Sequence, residues 1–205
     1  MRTKAGLTAD KVIAAAAELA DRNGAGALTL AALAAKLRVK PPSLFNHISG
    51  MTALRRELRV LALKELGDAM AAAAIGRSRG DATRALGQAY RQFVKRRPGI
   101  YSETVRSDDV DDPRDAEVGA LAARIVAICV SALAGYGLSP REEIHAIRAL
   151  RSLAHGFATL EIGSGFGMPI AIDESYDWML ETFIRVLEAD RTPARKRERT
   201  RARLR

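Results

Sequence analysis

The sequence predicts an all-α protein, and three observations carry this prediction. Alanine, leucine and arginine abound, while aromatic residues make up only 5% of the 205 positions, a composition that favours helices over strands. Apolar residues recur every three or four positions along most of the chain, and no useful stretch alternates with the period of a strand. Helix-capping signals separate these periodic stretches. With 48% hydrophobic residues, the chain can bury a sizeable core in one or two domains.

Local signals place the boundaries of these helices. Asn23-Gly24 stops the first, Thr29 is a fair N-cap for the second, and Pro41-Pro42 opens the third, where a first turn tolerates proline because those amides have no intrahelical acceptor. Ser139 to Glu142 reads as a capping box, and Asp173 is expected to cap the last helix. The predicted helices are 8–22, 30–37, 41–49, 52–74, 81–96, 100–106, 112–135, 140–162 and 173–189.

The net charge of +9 is concentrated at the two ends of the chain. Residues 1–60 carry a net charge of +6, residues 61–190 carry −4, and residues 191–205 carry +7. The basic N-terminal block coincides with the short helices at 30–37 and 41–49. Positive charge on a compact helical motif favours a polyanionic partner.

On a helical wheel of 100° per residue, the third helix divides into two faces. The apolar face consists of Leu44, Phe45 and Ile48, and the polar face consists of Ser43, Asn46 and His47. Asn46 can donate and accept hydrogen bonds together, which suits adenine, while Pro41 and Pro42 offer apolar contact to a thymine methyl. Arg38 and Lys40 are better placed for phosphates. The motif predicts a DNA-reading helix-turn-helix; the alternative is that Asn46 and His47 are ordinary surface residues.

Residues 8–66 resemble the N-terminal domain of the TetR/AcrR transcription regulators. The resemblance is carried by LTLAALAAKLRVKPPSLFNHI at 28–48, followed by TALRREL. It implies that most of the third helix faces DNA and that Phe45 lies at the boundary between protein and phosphate. The predicted DNA-binding residues are Thr29, Arg38, Lys40, Pro41, Pro42, Ser43, Phe45, Asn46 and His47.

Three positions depart from the pattern of that family. Phe45 stands where the family usually has tyrosine, so a hydroxyl group for a phosphate is missing. Arg38 replaces the usual turn glycine, which implies either a backbone that avoids positive φ or some strain. Ser49-Gly50-Met51 lacks the lysine that often follows this helix. Each departure is expected to weaken affinity for the DNA backbone.

The resemblance also implies the layout of the whole chain. It predicts a DNA-binding domain at 6–66, a helical ligand-binding and dimerisation domain at 67–190, and a basic tail at 191–205 that its composition marks as disordered. The stretch Arg151-Ser-Leu-Ala-His-Gly-Phe157, with Gly163-Ser-Gly-Phe-Gly167, resembles a C-terminal subgroup whose core reads Trp-His-Gly. Ala154 stands where that tryptophan would be.

The function implied is that of a ligand-responsive regulator, most commonly a repressor. A homodimer would hold two recognition helices about one duplex turn apart on a palindromic operator, and a small molecule would favour a dimer with the wrong separation, with helix 52–74 as the lever. The predicted dimer interface consists of Leu150, Leu153, Phe157, Leu160, Tyr176, Leu180, Phe183 and Leu187. Candidate ligand-lining residues, for which core packing is the alternative, are Tyr90, Phe93, Tyr101, His155 and Glu161.

An enzyme finds no support in the sequence. His47, His145 and His155 lie at no spacing typical of metal ligands, and no pair of nucleophile and base can be argued. The glycines at 163–167 follow a helix, whereas a dinucleotide-binding loop follows a strand. We therefore predict no catalytic residues, no metal and no cofactor. The remaining alternative is a non-switching architectural DNA-binding protein that uses the basic tail as much as the helix-turn-helix.

The same sequence features lead us to expect a cytoplasmic protein without a membrane association. No apolar run comes near the roughly 20 residues of a spanning helix, and the basic N-terminus is not followed by a secretory apolar core. The single Cys129 excludes a disulfide within the chain and suits a reducing compartment. Its neighbours Ile125, Ile128 and Val130 predict that this thiol is a small buried hydrophobe.

Overall fold

The computed structural model describes residues 6–105 and 115–189. Within these two ranges all regular secondary structure is helical and no strand occurs, so the predicted all-α class is confirmed. The α-helices are α1 (Ala9–Asn23), α2 (Leu30–Leu37), α3 (Met51–Ala74), α4 (Arg79–Arg96), α5 (Pro98–Glu103), α6 (Ala116–Leu133), α7 (Pro140–Ile162) and α8 (Ile172–Ala189). Short 3₁₀-helices lie at Ala25–Ala27, Pro41–Asn46 and Ala134–Tyr136. The predicted start of the helix at 112–135 and the basic tail at 191–205 lie outside the described residues.

The contacts of the chain divide it into two compact units. The first unit takes its described residues from positions 1–67 and 93–123, and the second takes them from 68–92 and 124–205. The first unit therefore combines the region predicted to bind DNA with α5. Helices α3, α4 and α6 each contribute residues to both units.

Helices α1 and α2 begin at side-chain caps. The Thr8 hydroxyl oxygen accepts a hydrogen bond from the Lys11 amide at 3.3 Å, and the Thr29 hydroxyl accepts one from the Ala32 amide at 3.1 Å. The second of these confirms Thr29 as the N-cap of α2. Leu33 is completely buried in this unit, where a leucine contributes about 1.5–3 kcal/mol by leaving water.

The short helix α5 is attached to α1 by backbone and ionic contacts. The Asp21 carboxylate accepts hydrogen bonds from the amides of Gly99 at 2.9 Å and Ile100 at 3.1 Å. It also pairs with the Arg97 guanidinium at 3.1 Å. A carboxylate at the first turn of α5 satisfies amides that have no partner within the helix.

The starts of α7 and α8 test two predicted caps. Ser139 and Glu142 form the predicted capping box, with the Ser139 amide donating to the Glu142 carboxylate at 2.7 Å. By contrast, α8 begins at Ile172, so Asp173 lies inside the first turn and the prediction that it caps this helix is wrong. Its carboxylate pairs instead with Arg91 at 2.7 Å, an interaction across more than 80 positions that local pattern does not reveal.

The core of the second unit is built around aromatic side chains. Tyr176 and Leu180 are completely buried and pack with Leu150, while Tyr136 packs in a neighbouring cluster. The Tyr176 hydroxyl donates to the Gly87 carbonyl at 2.6 Å, which satisfies the polar end of the ring. Burial raises the pKa of this hydroxyl well above its usual value, so it remains a neutral donor.

Helix α6 is more apolar than the sequence analysis expected. The stretch Ala116–Tyr136 is long enough and, with a mean hydropathy of 2.0, apolar enough to cross a membrane, so the expectation that no run approaches that length is wrong. Leucine, isoleucine and valine side chains supply most of this apolarity, and Glu117 and Arg124 interrupt the run, which hides it in a visual scan. Length and composition alone are weak evidence for a membrane span, because helices of soluble proteins pass the same test.

Cys129 on α6 is buried as predicted, and burial raises the pKa of its thiol to about 11.

Candidate DNA-binding surface

The turn between α2 and the next helix is made by Arg38 in a left-handed conformation, with φ 56° and ψ 42°. Its amide donates to the carbonyls of Ala34 and Ala35, which closes the end of α2. Of the two alternatives left open by the missing glycine, the structure shows the positive φ. A side chain in this region costs about 1–2 kcal/mol, because its Cβ crowds the following carbonyl.

The segment after this turn, Pro41–Asn46, is a 3₁₀-helix and not the predicted α-helix. The Ser43 amide donates to the Lys40 carbonyl at 2.9 Å, and the His47 amide donates to the Leu44 carbonyl at 2.9 Å. The two prolines have no amide hydrogen, and short helical runs commonly take this tighter i to i+3 pattern. Three residues per turn, in place of 3.6, change which side chains share a face.

The new geometry changes the inward and outward sets. Leu44 is completely buried and Ile48 is 7% exposed, so both anchor the segment as predicted. Phe45 is 57% exposed, so its assignment to the inward face is wrong. The next residue after Leu44 is offset from it by about 100° on an α-helix and by about 120° on a 3₁₀-helix, so the tighter turn moves Phe45 further from the buried side. Of the predicted outward residues, Asn46 is exposed and Ser43 and His47 are half-buried.

The remaining predicted DNA-binding residues also lie at the surface. Pro41, Pro42, Thr29, Arg38 and Lys40 are exposed, and the Thr29 hydroxyl caps α2 as described above. All nine predicted residues therefore have some exposed surface, which is compatible with a role in DNA contact but does not test it.

Lys36, in the last turn of α2, is engaged within the protein. Its ammonium group pairs with the Glu18 carboxylate at 2.9 Å, and this hydrogen bond lowers the pKa of Glu18. Arg38 and Lys40 thus supply the exposed cations next to the 3₁₀-helix.

The predicted ligand-lining residues are distributed over both units. Phe93 and Tyr101 belong to the first unit, where both are buried and meet edge to face with ring centroids 6.4 Å apart. Tyr90, His155 and Glu161 belong to the second unit. Tyr90 is buried, His155 is half-buried, and Glu161 is held by Arg91. A ligand role for these five residues stays a prediction.

Arg91 of α4 is the polar centre of the second unit. Its guanidinium makes two hydrogen bonds to Glu161, at 2.7 and 2.8 Å, and pairs with Asp173 at 2.7 Å. The same group lies over the ring of Tyr176, 4.6 Å from its centroid, and over Phe157 at 5.5 Å. Burial alone would lower the pKa of Arg91, but the hydrogen bonds to the two carboxylates outweigh the effect of burial. The pKa of Arg91 is therefore raised. Glu161 lies in the last turn of α7 and Asp173 lies in the first turn of α8, so Arg91 connects both ends of the loop between these helices to α4.

Half of the predicted dimer interface is buried within the protomer. Leu150, Tyr176, Leu180 and Leu187 leave little surface for a partner, and their place in the interface stays a prediction. Helical periodicity identifies an apolar stripe but not the surface that it meets, and here the stripe meets the core of its own unit. Leu160 is 53% exposed, and the half-buried residues are Leu153, Phe157 and Phe183. For these four the prediction stands untested.

Sequence reasoning missed Arg91 and Trp178. A single arginine in an amphipathic helix gives no sign of burial, because its partner Glu161 is 70 positions away. Trp178, the only tryptophan, is 66% exposed on α8. A signal for it was present, since position 178 lies out of phase with the inward positions 176 and 180.

Metal-binding geometry does not occur in the part of the chain that the structure describes. No group of three or more His, Cys, Asp or Glu side chains is arranged there to hold an ion.

Comparison with known proteins identifies the two regions. Residues 12–58 match the family described as "Bacterial regulatory proteins, tetR family", and residues 83–183 match "Tetracyclin repressor-like, C-terminal domain". These matches do not confirm the narrower Trp-His-Gly subgroup.

Curated relatives and solved structures agree with these matches. The chain is 38% identical over 185 residues to the uncharacterized HTH-type transcriptional regulator YobS of Bacillus subtilis, covering 90% of this chain and 94% of the relative. It is 33% identical over 158 residues to the uncharacterized HTH-type regulator Rv0681 of Mycobacterium tuberculosis, covering 76% and 71%. A TetR variant of Acinetobacter baumannii in complex with minocycline has the same fold, with a TM-score of 0.68 at 20% identity, covering 92% of this chain and all of that one. The chain therefore belongs to the TetR family of DNA-binding transcriptional regulators.

Proposed function

We propose that this protein is a cytoplasmic, homodimeric repressor that leaves a palindromic operator when a small molecule binds to its C-terminal region. One observation carries the proposal. In the 3₁₀-helix Leu44 is completely buried, whereas Asn46, two positions later, is exposed. A short helix anchored on one side, with polar groups on the other, is what reading of the major groove requires. Residues 6–66 are proposed as the DNA-binding domain and 67–190 as the effector and dimerisation domain.

Asn46→Ala tests the reading of bases. We expect affinity for a selected operator to fall about 10- to 100-fold, because alanine lacks the side-chain amide that would make paired hydrogen bonds to one base. Affinity for random DNA should stay within about twofold, since phosphate contacts supply non-specific binding. Fluorescence anisotropy with both duplexes at one salt concentration measures both quantities.

Asn23→Ala is the matched control, because Asn23 is an exposed asparagine at the end of α1. It should leave both affinities unchanged. Equal losses on operator and random DNA for Asn46→Ala would refute the reading role of this residue.

The dimer is proposed to form through outward faces of α7 and α8. On α8, Trp178, Thr182 and Val186 follow one another at helical spacing, with Trp178 66% and Val186 59% exposed. On α7, Gly156 has no heavy atom within 4 Å of the place a Cβ would take, which leaves space for a second helix. Leu160 on the same helix is exposed. Apolar faces on two helices suit a four-helix contact across a two-fold axis.

Trp178→Glu is expected to raise the dissociation constant of the dimer at least tenfold. A buried interface tryptophan commonly contributes 2 kcal/mol or more, and a carboxylate would have to be desolvated in its place. Ile75→Glu is the control, since Ile75 is 77% exposed on the turn after α3. Light scattering over a concentration series measures the change, with circular dichroism to verify the fold. An unchanged dimer in the Trp178 variant would contradict this interface.

The effector is proposed to act by shifting populations of the dimer. The TetR variant solved with minocycline shows that a protein of this fold takes an organic small molecule, which supports the same class of effector here. Helix α3 contributes residues to both units and is the proposed lever. A ligand shifts the equilibrium only by its difference in affinity for the two states.

A non-switching architectural role is the second candidate, favoured by the net charge of +7 on residues 191–205. A salt series separates the two functions. A repressor should bind its operator at least about 1,000-fold more tightly than random DNA at physiological salt. An architectural protein should bind both alike, with an affinity that falls steeply as salt rises.

A further inference from the structure

The 3₁₀-helix Pro41–Asn46 aligns Pro42 and Phe45 in one row. In this type of helix, side chains three positions apart lie directly above one another. Pro42 is exposed and Phe45 is 57% exposed. The next row consists of Ser43 and Asn46, whose side chains are polar. An apolar row thus lies beside a polar row on the same outward side of the segment.

Phe45 does not anchor the segment within its own protomer. Leu44 and Ile48 already anchor the segment in the core, with at most 7% of either residue exposed. A phenylalanine left in water forgoes the roughly 1.5–3 kcal/mol that burial would provide. A surface that excludes water from the ring on binding would recover that free energy.

The chemistry of the ring decides what it can meet on DNA. Phenylalanine has no hydrogen-bonding group, so it cannot satisfy a phosphate oxygen. Within the major groove the apolar feature of a base edge is the C5-methyl group of thymine. Arg38 and Lys40, exposed just before the segment, are placed to hold the phosphates that flank such a groove.

We propose that Phe45, in one row with Pro42, is a specificity-determining residue that reads the C5-methyl group of thymine in the operator, beside the base read by Asn46. This inference rests on the proposed function, since it requires that the segment enters the major groove.

The test uses the full-length protein and a duplex selected by it from a random pool. Each thymine of one half-site is replaced in turn by deoxyuridine, which lacks only the C5-methyl group. At one or two adjacent positions we expect affinity to fall about fourfold, the equivalent of removing one methylene-sized group from a buried contact. At the other positions affinity should not change.

Phe45→Ala is then measured on the same set of duplexes. Its affinity for the thymine duplex should fall, and the penalty for deoxyuridine at the sensitive positions should disappear, because the ring that sensed the methyl group is gone. Ile75→Ala, which truncates another exposed apolar side chain, should retain the full penalty.

Three outcomes decide the matter. Loss of the deoxyuridine penalty in Phe45→Ala alone supports the inference. Sequence-specific binding with no sensitive thymine, or a penalty that persists in Phe45→Ala, overturns it while leaving the proposed function intact. Failure of the wild-type protein to select any sequence overturns the proposed function itself.

Discussion

Replacing Gly99 by alanine is expected to lower the free energy of unfolding by about 3 kcal/mol, the upper part of the range for overpacking. A Cβ added at Gly99 would overlap the backbone carbonyl of Ala20 and the amide of Asp21. These backbone atoms belong to the last turn of α1 and cannot move aside as a flexible side chain can. The α5 amides would therefore lose their bonds to Asp21, or α1 would have to shift.

Gly119→Ala is the matched control within the same unit. Gly119 lies in α6 with no heavy atom within 4 Å of its added Cβ, so the substitution should stabilise the helix by up to about 1 kcal/mol. Urea unfolding of both variants, at one protein concentration because dimers shift apparent stability, compares them directly. A Gly99→Ala protein as stable as the wild type would show that α5 does not pack on α1 in this way.

Arg91→Ala is expected to cost about 3–5 kcal/mol, the loss typical of a buried ion pair from which one partner is removed. Glu161, whose side chain is only 10% exposed, would keep a negative charge without its bidentate partner. The rings of Tyr176 and Phe157 would lose the cation above them as well. Urea unfolding measures the change.

A double variant distinguishes the effect of losing the ion pair on stability from the effect of losing side-chain volume. Arg91→Met combined with Glu161→Leu removes both charges at similar size and should recover most of the stability. Asp173→Asn should cost less than about 1 kcal/mol, because the Asp173 side chain is 81% exposed and its pairing is screened by solvent. If Arg91→Ala alone were neutral, the guanidinium would not be holding the ends of the loop between α7 and α8.

Local pattern predicted the helices well because their ends depend on neighbouring residues. Thr29 caps α2, and Ser139 with Glu142 caps α7, as the spacing of these side chains required. The all-α class followed from the same periodicity. Asp173 shows the limit of this reasoning, because its carboxylate is used by Arg91 from a distant part of the chain.

The candidate site was predicted in its location and only partly in its geometry. The sequence identified the segment 41–46 and its anchor Leu44, but it assumed 3.6 residues per turn. The segment is instead a 3₁₀-helix, and Phe45 is exposed on it. Helical periodicity likewise did not separate core from surface on α8, since Tyr176 and Leu180 lie in the protomer core while Trp178, between them in sequence, is exposed.

What the sequence determined is therefore what short-range interactions control: the helical class, most helix ends, and the presence of a basic, proline-opened helix-turn-helix. Caps, proline and glycine act within a few residues, so their effects can be read along the chain. The tertiary structure alone decided that Arg91 is buried between two carboxylates and that Phe45 faces solvent. The burial of Arg91 depends on side chains brought together from distant positions, and the exposure of Phe45 depends on how its segment packs. An amphipathic pattern contains no information on either.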